Sequence, residues 1–382
     1  MNVVDFLTSE EAQSVMRSMS DHAFDPIRDV PQLRRRFDRD QAAAIAGMLG
    51  VRRLAHQKFG ERAAGMVYTD SAVQQATPWQ VAERRSRRFD ADLVCADLGC
   101  GIGGDAMWLA STVVGVDIDR ERLDMARHNA TLTGVTLHPV RADLETLPAL
   151  GVEQVFADPA RRDASGRRIF DVERYRPPLG LLLERWRPAA RGLAVKLHPG
   201  VDFAALPGDG EVEFVSLDGD LKEACLWLGD FSAHTGTTAT VLPAGVSVSG
   251  RPLEVAPEVG EVDAWLFEPD PAVIRSGLVG DVAATLGLHA IDRTIAYLTG
   301  RRPLESPLVT CYEVRDLLPF HGKKIRARLR EMDVGAVEVK KRGSAVDPEA
   351  FRRSLDLSGD RSCVIFLTRA RGKQVAIIAA RG

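Results

Sequence analysis

The sequence is poor in cysteine and in aromatic residues. Five cysteines occur among 382 residues, an odd number without any Cys-x-x-Cys pair. Such a set encodes neither a disulfide framework nor a zinc knuckle, so we expect no metal site and a reducing, cytoplasmic environment. Phe, Tyr and Trp make up 6% of the chain, which argues against a broad aromatic platform for single-stranded nucleic acid. The cysteines are Cys95, Cys100, Cys225, Cys311 and Cys363.

The sequence also lacks a long apolar run and a basic leader. Its longest uncharged stretch, Phe231–Gly250, is rich in Thr, Ser and Gly, whereas a membrane helix needs about 20 mainly apolar residues. Residues 1–20 include Asp5, Glu10 and Glu11, where a signal peptide would have a basic start followed by an apolar core. We therefore expect no membrane segment and no export.

Charge of one sign is not in excess overall, but it is unevenly distributed. The 50 Lys and Arg face 53 Asp and Glu, a formal charge of −3, which excludes a uniformly basic polyanion-binding coat. Residues 310–382 hold sixteen basic and nine acidic side chains, a local charge of +7, and the rest of the chain balances to −10. A basic surface is thus expected near the carboxyl end.

The order of secondary-structure patterns predicts a helical region, an α/β domain and a small α+β module. Thr8 and Glu11 have the spacing of a capping box that opens an amphipathic helix, and a second helix is expected over Gln41–Lys58. From Ala91 short apolar runs alternate with helical patterns, which predicts a parallel sheet covered on both faces. The predicted boundaries are 1–75 for the helical region, 76–232 for the α/β domain, 233–306 for a small α+β segment and 307–382 for the last module.

The strand candidates fall into two groups. In the α/β domain they are Leu93–Leu98, Thr112–Val116, Val135–Val140, Val152–Ala157 and Leu193–Leu197, followed by a hairpin of Glu211–Leu217 and Glu223–Leu228. In the rest of the chain they are Thr240–Leu242, Val246–Val248, Val309–Val314, Val337–Lys341, Ser362–Thr368 and Gln374–Ala379, with a helical pattern over Asp270–Leu288.

A glycine-rich segment, DLGCGIGGD at residues 97–105, directly follows the first strand. Its glycines let the backbone turn sharply and approach a ligand, and it also satisfies the Gly-x-Gly-x-x-Gly pattern of dinucleotide sites. The acid at position 97 would repel a pyrophosphate but attract the ammonium group of a methionine moiety. We therefore predict S-adenosylmethionine as the cofactor, bound by Asp97, Gly99, Cys100, Gly101, Gly103 and Asp105.

Acidic residues at later strand ends extend this site. Asp117, followed by Ile118, can accept hydrogen bonds from both ribose hydroxyls, and Asp143 can accept one from the adenine amino group. Taken alone, Asp117 is explained equally well as a helix N-cap, and Asp143 is better explained as a surface residue. Their order at successive strand ends favours a ligand site.

Over Gly60–Asp230 these motifs resemble the class I S-adenosylmethionine-dependent methyltransferases. The resemblance implies a Rossmann-like, seven-stranded sheet that ends in the hairpin. The whole chain resembles bacterial methyltransferases with a carboxyl-terminal THUMP-like domain, sometimes preceded by a ferredoxin-like segment, a likeness carried by Leu308–Ala379 with VEVKKRG at 337–343. The region before the first strand passes over the cofactor in such enzymes, so Gln75 and Thr77 are expected to touch it, unless they form only a polar turn.

The fourth strand ends in Asp158-Pro159-Ala160-Arg161, which departs from the Asp/Asn-Pro-Pro-aromatic motif of nucleic-acid amino-methyltransferases. Asp158 and the carbonyl of Pro159 can still orient an amine, and Arg161 can stack on a base or bind phosphate. Lys196, at the end of the fifth strand, either lines the same pocket or is a solvated strand-end lysine.

Three other groups of residues are given simpler roles. His198 is expected to be structural rather than a base. The cluster Arg84–Arg88 is explained adequately by a charged helix surface, although it lies near the cofactor side. A cysteine nucleophile is disfavoured, because Cys311 falls outside the α/β domain and Cys100 lies inside the glycine loop.

The densest basic run, HGKKIRARLR at 321–330, predicts a helix whose exposed face suits phosphate contacts. Its candidate RNA-binding residues are Lys323, Lys324, Arg326 and Arg330. A solvated helix beside an acidic neighbour is the alternative. THUMP-like modules present structured RNA in related enzymes, so the resemblance implies methyl transfer to an RNA base. Methylation of a small molecule or protein, and a non-catalytic RNA-binding protein that retains the cofactor, are the alternatives.

Overall fold

The computed structural model describes residues 2–19, 23–161, 167 and 169–382, and the chain divides into two compact units. The first unit comprises Met1–Glu211 and Glu223–Thr235, and the second comprises Val212–Lys222 and Gly236–Gly382. The four domain ranges predicted from the sequence stay a prediction.

Helices dominate the beginning of the first unit. They are α1 (Val3–Leu7), α2 (Glu10–Ser18), α3 (Pro26–Leu33), α4 (Arg39–Phe59), α5 (Asp70–Gln75) and α6 (Trp79–Ser86), and later in the unit follow α7 (Ala106–Leu109), α8 (Arg120–Thr131) and α9 (Leu179–Trp186). Single 3₁₀ turns lie at Gly60–Ala64, Val172–Arg174 and Phe203–Ala205.

The capping of the first helices differs from the prediction by one residue. Thr8 still has helical backbone angles and caps the end of α1, donating its hydroxyl to Val4 O at 2.8 Å. Ser9 is extended instead, and its side chain accepts from the Ala12 amide as the N-cap of α2. The predicted capping box of Thr8 and Glu11 is therefore wrong, because the chain turns at Ser9.

The amino-terminal helices pack onto the glycine loop. One apolar cluster contains Phe6, Ile45 and Phe59 from these helices together with Ile102 from the loop and Met125 from α8. Burial of such side chains supplies the main driving force for this packing. The helical region thus covers one side of the predicted cofactor loop.

The strands of the first sheet are short and mostly buried on both faces. The first seven along the chain are β1 (Cys95–Leu98), β2 (Thr112–Asp117), β3 (Thr136–Arg141), β4 (Gln154–Ala157), β5 (Gly192–Leu197), β6 (Glu211–Leu217) and β7 (Asp220–Gly229). The sheet has nine strands in the order β3-β2-β1-β4-β5-β7-β6-β8-β9, and its last two are β8 (Gly236–Leu242) and β9 (Val246–Gly250). The pairs among β1 to β5 are parallel, and β7 runs antiparallel to β5.

This topology places the predicted site at one edge of the sheet. Parallel strands end at the same edge, and ligands of open α/β sheets bind there. The glycine loop follows β1, Asp117 ends β2, Asp158 follows β4 and Lys196 is the last residue but one of β5. Residues far apart in sequence therefore meet at this edge.

The second unit is built around another sheet. Its elements are β8 (Gly236–Leu242), β9 (Val246–Gly250), β10 (Trp265–Pro269), α10 (Pro271–Ser276), α11 (Val279–Leu286), β11 (His289–Asp292), β12 (Ile295–Gly300), β13 (Val309–Pro319), α12 (Gly322–Glu331), β14 (Val334–Lys341), α13 (Pro348–Ser354), β15 (Arg361–Ala370) and β16 (Lys373–Arg381). Seven strands lie in the order β11-β12-β10-β13-β16-β15-β14. Thus β10, β11 and β12, from the range 233–306, share a sheet with strands of the last module.

Both helices of the last module pack on one face of that sheet. Ile325 and Leu329 of α12 and Phe351 of α13 form an apolar cluster with Ile365 and Ile378 from the central strands. The unit is therefore α+β, as its pattern predicts. Over the ranges that the structure describes, no helix has both the length and the apolar character that crossing a bilayer requires.

Candidate functional site

The glycine loop owes its path to backbone angles that only glycine adopts readily. Gly99, Gly101 and Gly103 have φ values of 84°, 54° and 80°. The amides of Gly99 and Cys100 both donate to Val116 O, at 2.8 and 3.0 Å. A Cβ on Gly99 would lie 2.8 Å from the carbonyl oxygen of Asp158. The loop therefore passes directly against the end of β4.

Asp117 is joined to the glycine loop by a hydrogen bond. Its Oδ2 accepts from the Gly101 amide at 3.0 Å, and its Oδ1 accepts from the Asp119 amide at 2.9 Å. The next residue, Ile118, is 63% exposed despite its apolar side chain. A carboxylate and an exposed apolar side chain thus stand beside the loop.

Asp97 is buried without a hydrogen-bond partner. It is 1% exposed, and neither of its carboxyl oxygens is hydrogen-bonded to any of the described residues. Burial raises the pKa of Asp97 well above its usual value, and the charges of Asp105 and Asp158 raise it further, against the opposing charges of Arg85 and Lys196. A buried acid without a partner is costly to the fold, which points to a cationic ligand.

Asp105, at the other end of the loop, is held by three side chains. Thr77 Oγ1 donates to its Oδ2 at 3.0 Å, Arg85 Nη1 donates to its Oδ1, and Lys196 Nζ lies 4.0 Å away. Burial alone would raise the pKa of Asp105, but the charges of Arg85 and Lys196 outweigh it and lower this pKa. Both oxygens of Asp105 are thus engaged by the protein itself.

Arg85 joins this cluster to β7, the strand that pairs with β5. Its Nη2 donates to Glu223 of β7, and its guanidinium lies over the Phe156 ring, 4.5 Å from the centroid. Arg85 is 3% exposed. Its neighbour Arg88 forms two hydrogen bonds with Glu211, at 2.6 and 2.7 Å. The explanation of Arg84–Arg88 as a helix surface is therefore wrong for these two positions, because both arginines pair with buried glutamates of the sheet.

Asp158 is held between two cations. Lys196 Nζ donates to Asp158 Oδ2 and to Thr77 Oγ1, both at 2.7 Å. Arg161 Nη2 lies 3.4 Å from Asp158 Oδ1, and its Nη1 donates to Leu197 O at 2.9 Å. Lys196 is buried, so it lines the site and is not a solvated strand-end lysine. The arrangement fixes one carboxylate at the edge of the sheet where β4 and β5 end.

Comparison with known proteins gives two family matches. The methyltransferase domain family matches residues 95–157, and the THUMP domain-like family matches residues 309–381. A protein found in two strains of Mycobacterium tuberculosis, described as an uncharacterized S-adenosylmethionine-dependent methyltransferase, is 37% identical over 361 residues, covering 91% of this chain and 98% of the relative. The chain belongs to the S-adenosylmethionine-dependent methyltransferases.

A solved structure has the same fold as this methyltransferase. It comes from Porphyromonas gingivalis, is described as a methyltransferase, and superposes with a TM-score of 0.81 at 18% identity, covering 98% of this chain and 99% of that one. The predicted Rossmann-like class I fold, the THUMP-like module and the dependence on S-adenosylmethionine are confirmed.

The residues of this methyltransferase fit its cofactor. Asp97 offers a buried acid without a partner to an ammonium group, and a Cβ on Gly101 would meet no atom within 4 Å. The carboxylate of Asp117 lies beside the loop as an acceptor for hydroxyl groups, and the exposed side chain of Ile118 provides an apolar surface for a ring. The individual contacts stay predictions.

Two of the other predicted cofactor-binding residues, Gln75 and Asp143, are exposed. Gln75 is exposed at the end of α5, and the structure gives its side chain no hydrogen bond within the described ranges. Asp143 is exposed, and its Oδ1 accepts from the Glu145 amide at 2.9 Å. Cys100 is buried, and burial followed by the charges of Asp97 and Asp117 raises the pKa of its thiol well above the usual value. Such a thiol is a poor nucleophile.

The backbone next to Pro159, the remaining predicted catalytic residue, forms an antiparallel bridge. Pro159 is buried, and the next residue, Ala160, is exposed and pairs with Arg176 through two backbone hydrogen bonds of 2.8 and 3.1 Å. The small side chain of Ala160 therefore occupies the position of the second proline in the related motif. Among the described residues no group of three or more His, Cys, Asp or Glu is placed to hold a metal ion.

The basic helix α12 uses two of its arginines within the second unit. Arg326 donates to Ser354 O, and Arg330 donates to Asp356 O at 3.2 Å, so both hold the end of α13. Lys323 and Lys324, in the first turn, are exposed. The four predicted RNA-binding residues thus divide into two arginines with partners inside the unit, of which Arg330 is still exposed, and two exposed lysines.

Proposed function

We propose that this methyltransferase transfers a methyl group to a base of a structured RNA. The observation that carries the proposal is the THUMP domain-like match over 309–381, in a segment that holds a charge of +7 at residues 310–382. Lys323 and Lys324 place two of these charges on an exposed helical turn. Phosphate groups bind such surfaces, and their contribution to affinity falls with salt.

On this proposal the glycine loop and its neighbours hold the cofactor. Asp97 receives the ammonium group, Asp117 the ribose hydroxyls and Asp143 the adenine amino group, with Ile118 against the ring. When bound, S-adenosylmethionine supplies a methyl carbon on a cationic sulfur: the acceptor's lone pair forms the new bond, the carbon–sulfur bond breaks, and its electron pair stays on sulfur. Alignment and proximity provide most of the rate enhancement for such a displacement.

Asp158 would orient the acceptor. Lys196 and Arg161 fix its carboxylate from two sides, so an amine could donate to the oxygen atoms of Asp158 and to the carbonyl of Pro159 while its lone pair points away from them. The proton lost by the methylated amine passes to Asp158 or to water. Arg161 and Lys196 are therefore positioning residues for Asp158 in this scheme.

The acceptor class can be decided by labelling. Purified protein and labelled S-adenosylmethionine are incubated in parallel with total RNA, protein extract and small metabolites from a strain that lacks the enzyme. The proposal predicts label in RNA well above the other two pools. Label mainly in protein or in metabolites would establish the alternative acceptors, and cofactor binding without any labelling would favour a non-catalytic role.

The basic surface can be tested separately. Replacing Lys323 and Lys324 together by Glu should weaken RNA binding and flatten its dependence on salt, because two phosphate contacts are lost, while cofactor affinity stays unchanged. Arg34 and Arg35, an exposed adjacent pair of the first unit, provide the matched control when both are replaced by Glu. Equal effects of the two double substitutions would refute a specific role for α12.

A further inference from the structure

An aromatic ring stands exposed next to the segment that lacks the expected aromatic residue. Phe170 is 56% exposed, an unusual state for a side chain whose burial is favourable by about 2 kcal/mol. The residue before it, Ile169, donates its amide to Arg161 O at 2.8 Å. The ring is therefore tied to Asp158-Pro159-Ala160-Arg161 through the backbone.

His198 holds this ring from the side. The two rings contact edge to face, with centroids 4.6 Å apart and planes at 70°. His198 is itself held, because its Nδ1 accepts from the Gly200 amide at 2.8 Å and its amide donates to the buried Tyr175 hydroxyl at 3.1 Å. A Cβ on Gly200 would lie 2.9 Å from His198 Nδ1 and 3.2 Å from Phe170 Cδ1. Gly200 therefore packs against both rings, and Phe170 is still exposed.

The ring pair is linked to Asp158 by one side chain. The Arg161 guanidinium contacts both Asp158 Oδ1, at 3.4 Å, and Leu197 O, at 2.9 Å, and Leu197 directly precedes His198. The exposed ring and the predicted acceptor-orienting carboxylate therefore belong to the same strand edge, between the ends of β4 and β5.

We propose that Phe170 is the stacking surface for the planar methyl acceptor and that His198 positions its ring. The proposal rests on the proposed function, since a nucleobase is the acceptor that an aromatic face beside a hydrogen-bonding carboxylate would recognise. Phe170 supplies, from later in the chain, the aromatic that Ala160 and Arg161 do not provide. His198 acts through Phe170 and does not itself contact the acceptor.

Steady-state kinetics on total RNA test the stacking role. Phe170→Ala and Phe170→Leu should raise KM for RNA by about 10- to 100-fold, the range expected for loss of one base–aromatic stack, whereas Phe170→Tyr keeps the ring and stays near wild type. Calorimetric affinity for S-adenosylmethionine should not change in any of them. If Phe170→Leu matches Phe170→Tyr, the ring has no stacking role and the proposal is overturned.

Fluorescence tests the same surface without any need for methyl transfer. In Phe170→Trp the signal gained over wild type should be quenched saturably by nucleoside 5′-monophosphates but not by ribose 5-phosphate. Ile27→Trp, at a position that is 88% exposed in α3, reports collisional quenching alone. An identical response of the two tryptophans overturns the proposal. Saturable quenching without methyl labelling of RNA upholds the stacking role of Phe170 and rejects RNA as the acceptor. The stacking proposal and the RNA proposal can therefore fail separately.

The role of His198 is tested by two replacements, each of which keeps one of its two contacts and removes the other. His198→Phe keeps a ring edge against Phe170, and His198→Asn keeps an acceptor for the Gly200 amide. If His198 positions the ring, His198→Phe should leave KM for RNA near the wild-type value while His198→Asn raises it, with kcat at saturating RNA little altered in both. The reverse order would assign His198 a purely local structural role.

Discussion

Each end of the glycine loop carries an aspartate, and the two aspartates differ in their hydrogen bonding and in the direction of their pKa shifts. Asp97, before the loop, is buried without a hydrogen bond from any described residue, and its pKa is raised. Asp105, after the loop, is also buried but is bound by Thr77, Arg85 and Lys196, and its pKa is lowered. The fold therefore neutralises one acid internally and leaves the other without a hydrogen-bond partner among the described residues, as the proposed contact of Asp97 with a cationic ligand requires.

The prediction with the largest effect removes the partner of the satisfied acid. Arg85→Leu leaves Asp105 and Glu223 buried without their shared cation, so the free energy of unfolding should fall by about 3–5 kcal/mol in urea denaturation. Arg87→Leu, at the C-cap of the same helix, removes only an exposed pair with Glu83 and should cost at most about 0.5 kcal/mol. Similar losses in the two variants would mean that Arg85 is no more important than a surface arginine.

A second pair of substitutions separates the fold of the loop from its binding function. Gly99→Ala introduces a Cβ 2.8 Å from Asp158 O at a positive φ, and stability should fall by about 2 kcal/mol or more. Gly101→Ala meets no neighbouring atom within 4 Å, so it should cost only about 1–2 kcal/mol of backbone strain while lowering cofactor affinity strongly. Urea denaturation and calorimetry measure stability and cofactor affinity in both variants. If the two variants lose stability and affinity in the same proportion, the distinction between Gly99 and Gly101 is refuted.

The third prediction concerns pH and the unpartnered acid. Because the folded-state pKa of Asp97 lies above its unfolded value, the ligand-free protein loses stability as pH rises between the two values, by up to about 1.4 kcal/mol per unit. Asp97→Asn should abolish this slope and be more stable near neutral pH. Since a cation favours the ionised acid, cofactor affinity should rise with pH in the wild type over the same window and stay flat in the variant. A flat wild-type profile would contradict the assignment.

The smallest effect is expected at Cys100. Its thiol is buried and its pKa is raised, so it should react slowly with thiol reagents, and Cys100→Ala should keep methyl transfer within about twofold of wild type. Complete loss of transfer in that variant, with cofactor affinity retained, would indicate covalent catalysis after all.

Local patterns in the sequence predict the fold well. Apolar runs and the turn residues between them predict the glycine loop, the acids at the ends of β1 and β2, and the hairpin of β6 and β7. The capping error at Thr8 arose because two neighbouring hydroxyl residues can serve as N-cap, and only the backbone conformation selects Ser9.

The site's supporting residues are harder to read from sequence. Arg85 is separated from Glu223 by 138 positions, and no local pattern distinguishes it from the exposed Arg87. Phe170 has no periodic signal either, because its position depends on backbone pairing with Arg161 and on contact with His198. Such long-range contacts depend on the tertiary fold, so local patterns do not identify them.

Calorimetric titration with S-adenosylmethionine at neutral pH tests most directly whether Asp97 is the acid reserved for the cofactor. Wild type and the surface control Arg87→Leu should bind with equal affinity, and Asp97→Asn should bind at least about tenfold more weakly, as expected for loss of a charge-assisted hydrogen bond. Wild-type affinity in Asp97→Asn would contradict the proposal that Asp97 binds the ammonium group of the cofactor.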